Sequence, residues 1–370
     1  MVYAHVPIAS VNLPGHLGSK ALREKVVIKR GKRRKVLGVL SISLFLYMMY
    51  SMQKSFSHTV PAKRSTNTRN EGTADTLFQT KKRTLNFKKV HFDVTGPDED
   101  FLRALTTFGI KGGSCTDETS TCVGTLIMVN RGAIELYRNF LHYLAKLNLQ
   151  KYDFIVCTSD EEVSSLALLN NQRVIVVNNH EIEDDRLDFG TPSYQLAMSL
   201  RTRLINILLR ANMYQYWLIA DTDSVWLCDP FELIFDADFS EDPFDVGGQV
   251  DFNRICGGFL VLRTNPAVQN LWNEVTSTYE ETIRTSDIGT SIEKTEQGIL
   301  HDLISDETRG LNVKQFSKEL FPSGFDYFQD YMQEQACVIH NNYIIGIDKK
   351  IERFKEFNLW MNDGSDLDDS

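Results

Sequence analysis

The stretch that decides the fold is WLIADTDSVWLCDPF, Trp217 to Phe231. It opens with an apolar run, Trp217-Leu218-Ile219-Ala220, suited to a strand buried on both faces. Two carboxylates, Asp221 and Asp223, follow one residue apart where that strand emerges. Residues i and i+2 of an extended segment point to the same side. Both carboxylates can therefore face one pocket at the carboxyl end of a strand, where open α/β sheets bind ligands. Two like charges that close repel unless a proton or a cation lies between them. Oxygen ligands suit a hard divalent ion such as Mg²⁺ or Mn²⁺.

Three readings of the pair compete. The plainest is a solvated acidic turn after a strand. The second is a phosphatase of the haloacid dehalogenase type, whose D-x-D-x-[TV] motif fits Asp221 to Val225; there Asp221 would attack phosphorus and Asp223 would act as acid/base. The third is a metal-dependent glycosyltransferase, in which the carboxylates hold a cation against the diphosphate of a nucleotide sugar. The phosphatase also needs a later lysine and a paired acidic motif on a downstream strand. The only Asp-Asp after Asp223 is Asp368-Asp369, in a tail too polar for a strand.

Around this centre, 370 residues with 42% apolar and 24% charged residues supply ample core for a globular protein. The net charge of −9 argues against a nucleic-acid partner. Residues 1–35 end in the basic block Lys29 to Lys35 and read as a cytoplasmic tail. Val36 to Met52 (VLGVLSISLFLYMMYSM) is free of charge. As a helix it would span roughly 25 Å, suited to a thin bilayer. The basic block on its N-terminal side predicts a type II signal anchor, a single transmembrane helix with the remainder in a lumen. Residues 53–89 are rich in Ser, Thr, Asn, Lys and Arg and read as a flexible stem. Residues 90–362 form the folded region, and 363–370 an acidic tail.

Within the folded region the spacing predicts a helix over Glu99 to Phe108. It predicts strands at Gly124 to Asn130, Phe154 to Thr158 and Arg173 to Val177, with helical patterns between them. This βαβαβ alternation predicts a parallel sheet covered on both faces. A strong helix runs from Tyr194 to Ala211, capped by Thr191-Pro192-Ser193. Arg201 and Arg203 lie off its main stripe, as solvated residues or with one of them reaching a diphosphate. Strands are predicted at Phe244 to Val250 and Gly257 to Leu262, where Gly257-Gly258 permits close backbone approach at the pocket floor. A helix starts at Asn265-Pro266, residues 276–292 read as a surface excursion, and a short helix follows Glu296-Gln297-Gly298. A strand at Ala336 to His340 and a basic amphipathic helix, Lys349 to Phe357, close the domain. Six cysteines fit a secretory-pathway enzyme with one to three bridges. Cys115–Cys122 is the favoured pair, Cys228 with Cys256 a weaker one, and Cys157 and Cys337 are expected as buried free thiols.

Five segments in order, LRTRLINILL, LIADTDSVWLCDPF, GGFLVLRTNPAVQNLW, TEQGIL and IHNNYIIG, resemble the nucleotide-diphospho-sugar transferase family. That family includes plant xylosyltransferases and a slime-mould α-galactosyltransferase, and the likeness runs over roughly residues 124–360. The resemblance implies an α/β fold of GT-A type, one Rossmann-like nucleotide-sugar-binding domain with a mostly parallel central sheet. It implies that Asp221, Asp223 and His340 hold the metal, Mn²⁺ or Mg²⁺. It implies donor contacts from Asn130, Arg203, Asp221, Asp223 and Gly258. Glu296 and Gln297 match the family's D-Q pair near the transferred sugar, with Glu in place of Asp. Cys256-Gly257-Gly258 stands where the family has Asn-Gly, so an Asn contact is not carried over. The expected activity is transfer of galactose or xylose, α-linked with retention, from a nucleotide diphosphate sugar, UDP-linked, to a glycan or glycoprotein acceptor in the Golgi lumen. A catalytically silent lumenal binding protein of the same fold is the alternative, with intact Asp221, Asp223 and His340 against it.

Overall fold

The computed structural model describes residues 89–93, 96–107, 122–178, 187–235, 243–285, 295–331 and 333–361. The tail, the apolar span 36–52, nearly all of the stem, Cys115 and the acidic end lie outside them. Among the described residues no helix is long and apolar enough to cross a membrane.

Ten strands organise the described residues. β1 (Lys89–Asp93), β2 (Val123–Met128), β3 (Asp153–Thr158), β4 (Arg173–Asn178) and β5 (Tyr216–Ala220) are mutually parallel in the order β1-β4-β3-β2-β5. β8 (Arg254–Arg263) then pairs antiparallel with β5 and with β7 (Val246–Asp251), and β9 (Val313–Gln315) adds parallel to β7. A second, small sheet joins β6 (Ser224–Trp226) to β10 (Val338–His340), antiparallel. The outcome is an α/β fold with a mostly parallel central sheet, as the alternation of short apolar runs and helical patterns predicts.

Alternate residues of the central strands feed opposite faces, as the two-residue period of a strand requires. Leu126, Ile155, Cys157 and Ile175 pack with helices α4 (Pro192–Ala211) and α6 (Pro266–Thr285). Ile127, Phe154, Val156 and Val174 pack with α2 (Ile134–Lys146) and α3 (Glu161–Leu169), together with Trp226 and Phe231. A third cluster, built from Val225, Ile339, Phe328 and Phe354, seats the small sheet against α8 (Gly324–Phe328) and α9 (Ile347–Glu356). The cap of α4 forms as read: the Thr191 side chain accepts from Tyr194 N–H, and Pro192 opens the helix.

Three expectations are corrected. The region read as an excursion from residue 276 continues helically to Thr285, because Thr276 and Tyr279 are buried despite the polar composition around them. Thr276 Oγ1 lies 2.9 Å from Trp272 O and 3.2 Å from Thr202 O, so its one hydroxyl hydrogen has an acceptor within the helix pair. Cys337 is not a free thiol but is bonded to Cys228, and Cys256 is free and buried. The reason is β6: its three residues belong to the aspartate stretch, and their pairing sets Trp226 against Val338, bringing the following Cys228 to Cys337. Cys122 is disulfide-bonded, and Cys157 is free and buried as expected.

Candidate active site

Five parallel strands ending at one edge leave a crevice there, and the chain after β5 turns across it. Asp221 directly follows β5, and its N–H donates to Gly258 O on β8 at 2.9 Å. Asp223 directly precedes β6, where Ser224 pairs with His340. The small sheet thus carries His340, 117 positions after Asp223 by number, to the aspartates. His340 Nε2 lies 3.3 Å from Asp223 Oδ1 and 3.7 Å from Asp221 Oδ2. One ligand atom from each of the three lies within 4.8 Å of the others.

Electrostatics favour added positive charge between these groups. Burial opposes ionisation of Asp223, but Lys350 and His340 outweigh it and hold the carboxyl far below the ordinary carboxylate range. Burial likewise opposes a charged His340, and Asp223 outweighs it, so the imidazole binds its proton well above its ordinary range. Lys350 Nζ, from α9, donates to Asp223 Oδ2 at 2.5 Å. Two carboxylates and one imidazole, converging and already drawing cations, match the donor set of a divalent transition metal such as Mn²⁺. Gly258 leaves the room they need, because a Cβ there would collide with Asp221 Oδ2 and His340 Cε1 and lie 2.9 Å from His340 Nε2.

An open cleft lies beside the aspartates, lined in part by Asn130, Thr158, Ser159, Arg201, Asp221, Asp223 and Lys350. Asn130 stands at the end of β2, where the chain leaves the sheet. Glu296 opens α7 (Glu296–Ile304), placing its carboxylate at a helix N-terminus, and Thr295 caps that helix. Gln297 Oε1 accepts Gly257 N–H at 3.1 Å, and its Nε2 donates to Asp251 Oδ2 at 2.9 Å.

Of Arg201 and Arg203, both on α4, the structure brings Arg201 and not Arg203 to the aspartates. Arg203 faces away, donating to Asp98 Oδ1 at 2.8 and 3.0 Å and to Gly96 O at 3.0 Å. Arg201 is the residue inside. It is 6% exposed, and its two terminal nitrogens donate to Asp221 Oδ1 at 2.9 Å and to Glu296 Oε1 at 2.7 Å. Two positions along a helix are about 200° apart, so only one can face the sheet. The reading that sets Arg201 off the apolar stripe is corrected: Ala197, Arg201, Leu204 and Leu208 recur at three- and four-residue spacing, and all four are buried. Lys350 was also missed, and its signal was only a cation ten positions after His340 on an amphipathic helix.

The fold and this cluster define an α/β protein with two carboxylates and an imidazole, a set that could hold a metal ion, converging at the carboxyl edge of its parallel strands. The chain belongs to the nucleotide-diphospho-sugar transferase family, whose profile matches residues 151–354. It is 25% identical over 252 residues to UDP-D-xylose:L-fucose alpha-1,3-D-xylosyltransferase 3 of Arabidopsis thaliana, covering 61% of this chain and 64% of that one. It is 24% identical over 286 residues to UDP-galactose:fucoside alpha-3-galactosyltransferase of Dictyostelium discoideum, covering 66% and 44%. Both matches span less than two thirds of the relative's own length. Among solved structures, the galactosyltransferase LgtC in complex with donor and acceptor sugar analogs aligns with a TM-score of 0.42 at 11% identity, over 65% of this chain and 98% of that one.

Proposed function

We propose that this protein is a metal-dependent glycosyltransferase of GT-A type that moves a sugar from a nucleotide diphosphate donor to a glycan or glycoprotein. The convergence of Asp221 and Asp223, which line the cleft, with His340 behind them carries the proposal. The donor is a UDP-sugar, UDP-galactose or UDP-xylose, transferred with retention to an α-linkage; the names of the relatives support this choice. Asp221, Asp223 and His340 would hold a divalent cation, Mn²⁺ or Mg²⁺, which would supply Lewis-acid stabilisation to a diphosphate leaving group, on the order of several kcal/mol.

The chain's own groups complete the chemistry. Asn130, Thr158 and Ser159 line the nucleotide end of the cleft. Lys350, paired with Asp223, offers an ammonium to the diphosphate once that carboxylate is otherwise engaged. Arg201 holds Asp221 and Glu296 together with a planar fork that neither can leave without baring a buried charge. Glu296 and Gln297 border the transferred sugar, Gln297 anchored by Gly257 and Asp251. The protein works in the Golgi lumen, anchored as a single-pass type II membrane protein by residues 36–52. The Cys228–Cys337 bond fits an oxidising compartment and supports this location.

The test is a panel of UDP- and GDP-sugars assayed for Mn²⁺-dependent hydrolysis by the purified full chain. One UDP-sugar should be hydrolysed, EDTA should silence turnover, and Mn²⁺ should restore it. Donor binding without hydrolysis, or turnover that persists in chelator, overturns the proposal; the first result would identify a silent lumenal binding protein instead. A nucleophilic Asp221, as in the phosphatase reading, has no support from the family.

A further inference from the structure

We infer that Gln249 is a positioning residue, which locks the imidazole of His340 so that Nε2, and not Nδ1, is the nitrogen facing the cation site. The inference rests on the site proposed above. Gln249 is fully buried on β7, beside a break in register: Gly248 pairs with Leu260, but Val250 pairs with Ile255. β8 therefore carries extra residues opposite Gln249, and such bulges re-aim side chains next to sites.

The orientation of the amide follows from its far end. Gln249 Nε2 donates to Pro322 O at 2.6 Å, and a carbonyl oxygen can only accept, so the amide nitrogen must point there. Oε1 then faces His340 Nδ1 at 3.2 Å. That oxygen too can only accept, so Nδ1 carries a hydrogen whatever the charge of the ring. The second group beside Nδ1 is the buried Cys256 Sγ at 3.4 Å, a weak donor and weak acceptor that takes the Gly258 N–H at 3.4 Å and can also take the Nδ1 hydrogen. Nε2 is left as the nitrogen facing Asp221 and Asp223. Rotating the ring by half a turn would exchange Nε2 for Cε1 and abandon the hydrogen bond to Gln249. Pro322 O also accepts His340 N–H at 3.4 Å, so one carbonyl ties the strand bearing the histidine to the residue that orients its ring.

An outer hydrogen bond of this kind typically contributes 10- to 100-fold to metal affinity. The experiment is Mn²⁺ titration by calorimetry of the full chain, unaltered and as Gln249→Met and Gln249→Glu, with thermal unfolding followed in parallel. Gln249→Met, of similar length and without an acceptor, should bind Mn²⁺ about 10- to 100-fold more weakly. Gln249→Glu loses donation to Pro322 but keeps an acceptor for Nδ1–H, and should bind Mn²⁺ at least as tightly as the unaltered chain. Should Gln249→Met not fold, Gln249→Asn, whose amide stops short of Nδ1, makes the same comparison. Unchanged binding in the variant lacking the acceptor overturns the inference, as does equal weakening in both variants, which would mark a packing role. Absence of Mn²⁺ binding by the unaltered chain overturns the site itself, and the inference with it.

Discussion

Strands β4, β3, β2 and β5 meet the cleft only at their carboxyl ends, whereas β8 runs antiparallel to β5 with its middle against the Asp221–His340 cluster. The parallel half supplies a crevice lined by loop residues such as Asn130, Thr158 and Ser159. The antiparallel half, with the small β6–β10 sheet, supplies Gly258, His340 and the anchors of Gln297, and it brings Lys350 on the helix that follows. One half makes room for a ligand, and the other decides which charges meet it. The comparison predicts that substitutions in the second half should strike chemistry first and stability second.

The largest effect is expected at the junction of the two halves. Asp223→Asn removes a charge from the cation cluster and leaves Lys350 and His340 without their shared carboxylate. Donor hydrolysis should fall on the order of 10³-fold, while circular dichroism reports a native fold. Substantial activity in the folded variant would detach the chemistry from this cluster.

Next comes Gly258→Ala. Its methyl would collide with Asp221 Oδ2 and the His340 ring; the imidazole is buried, and the part-exposed Asp221 carboxylate is tied by its other oxygen to Arg201. Overpacking of this kind costs about 1–3 kcal/mol, and Mn²⁺ affinity should drop by more than the stability loss alone would suggest. Calorimetric titration of a folded sample checks this; unimpaired binding would show that the carboxylates need not approach β8.

Legibility in the sequence follows the same division. β2, β3, β4, β5 and α4 could be read because each is a local pattern, an apolar run or a stripe at helical spacing, whereas β1, with charged residues at both ends, was not. Asp221 and Asp223 were readable for the same reason, sitting at the end of such a run. The site's other members depend on contacts between distant segments. β6 and β10 are three residues each, too short to carry a period, yet their pairing sets both the His340 position and the Cys228–Cys337 bond. Arg201 and Arg203 differ only by helix phase, and Gln249 gains its orientation from a register break that composition does not reveal.

Removing the covalent tie should show how far the small sheet depends on it. The Cys228–Cys337 bond closes a long loop and flanks the β6–β10 pair, where Leu227 N–H donates to Cys337 O at 2.7 Å. A Cys228→Ala, Cys337→Ala double variant should lose about 2–4 kcal/mol, read as a lower urea midpoint. Its Mn²⁺ affinity should weaken as well, since the same pairing sets Asp223 beside His340. A stability loss with unaltered Mn²⁺ binding would mean that the hydrogen bonds of the small sheet hold the site unaided.

The two arginines of α4 give the finest discrimination. Arg201→Met should bare the Asp221 and Glu296 carboxylates, lowering donor hydrolysis about 10²-fold, with Arg201→Lys unable to restore the fork. Arg203→Met should do far less. Arg203 bridges to Asp98 on α1 (Asp98–Thr107) and lies over the Phe92 ring at 5.5 Å, with its side chain 27% exposed. After its removal Asp98 keeps a cationic partner, because Arg210 Nη1 donates to Asp98 Oδ2 at 3.4 Å. No unpaired buried charge results, so the cost should be near that of a partly solvated ion pair, about 1 kcal/mol. Hydrolysis and donor KM should not change. If Arg203→Met were as inactive as Arg201→Met while still folded, the phase of α4 against the sheet would have to differ by half a turn, and the cleft would be lined by the opposite face of that helix.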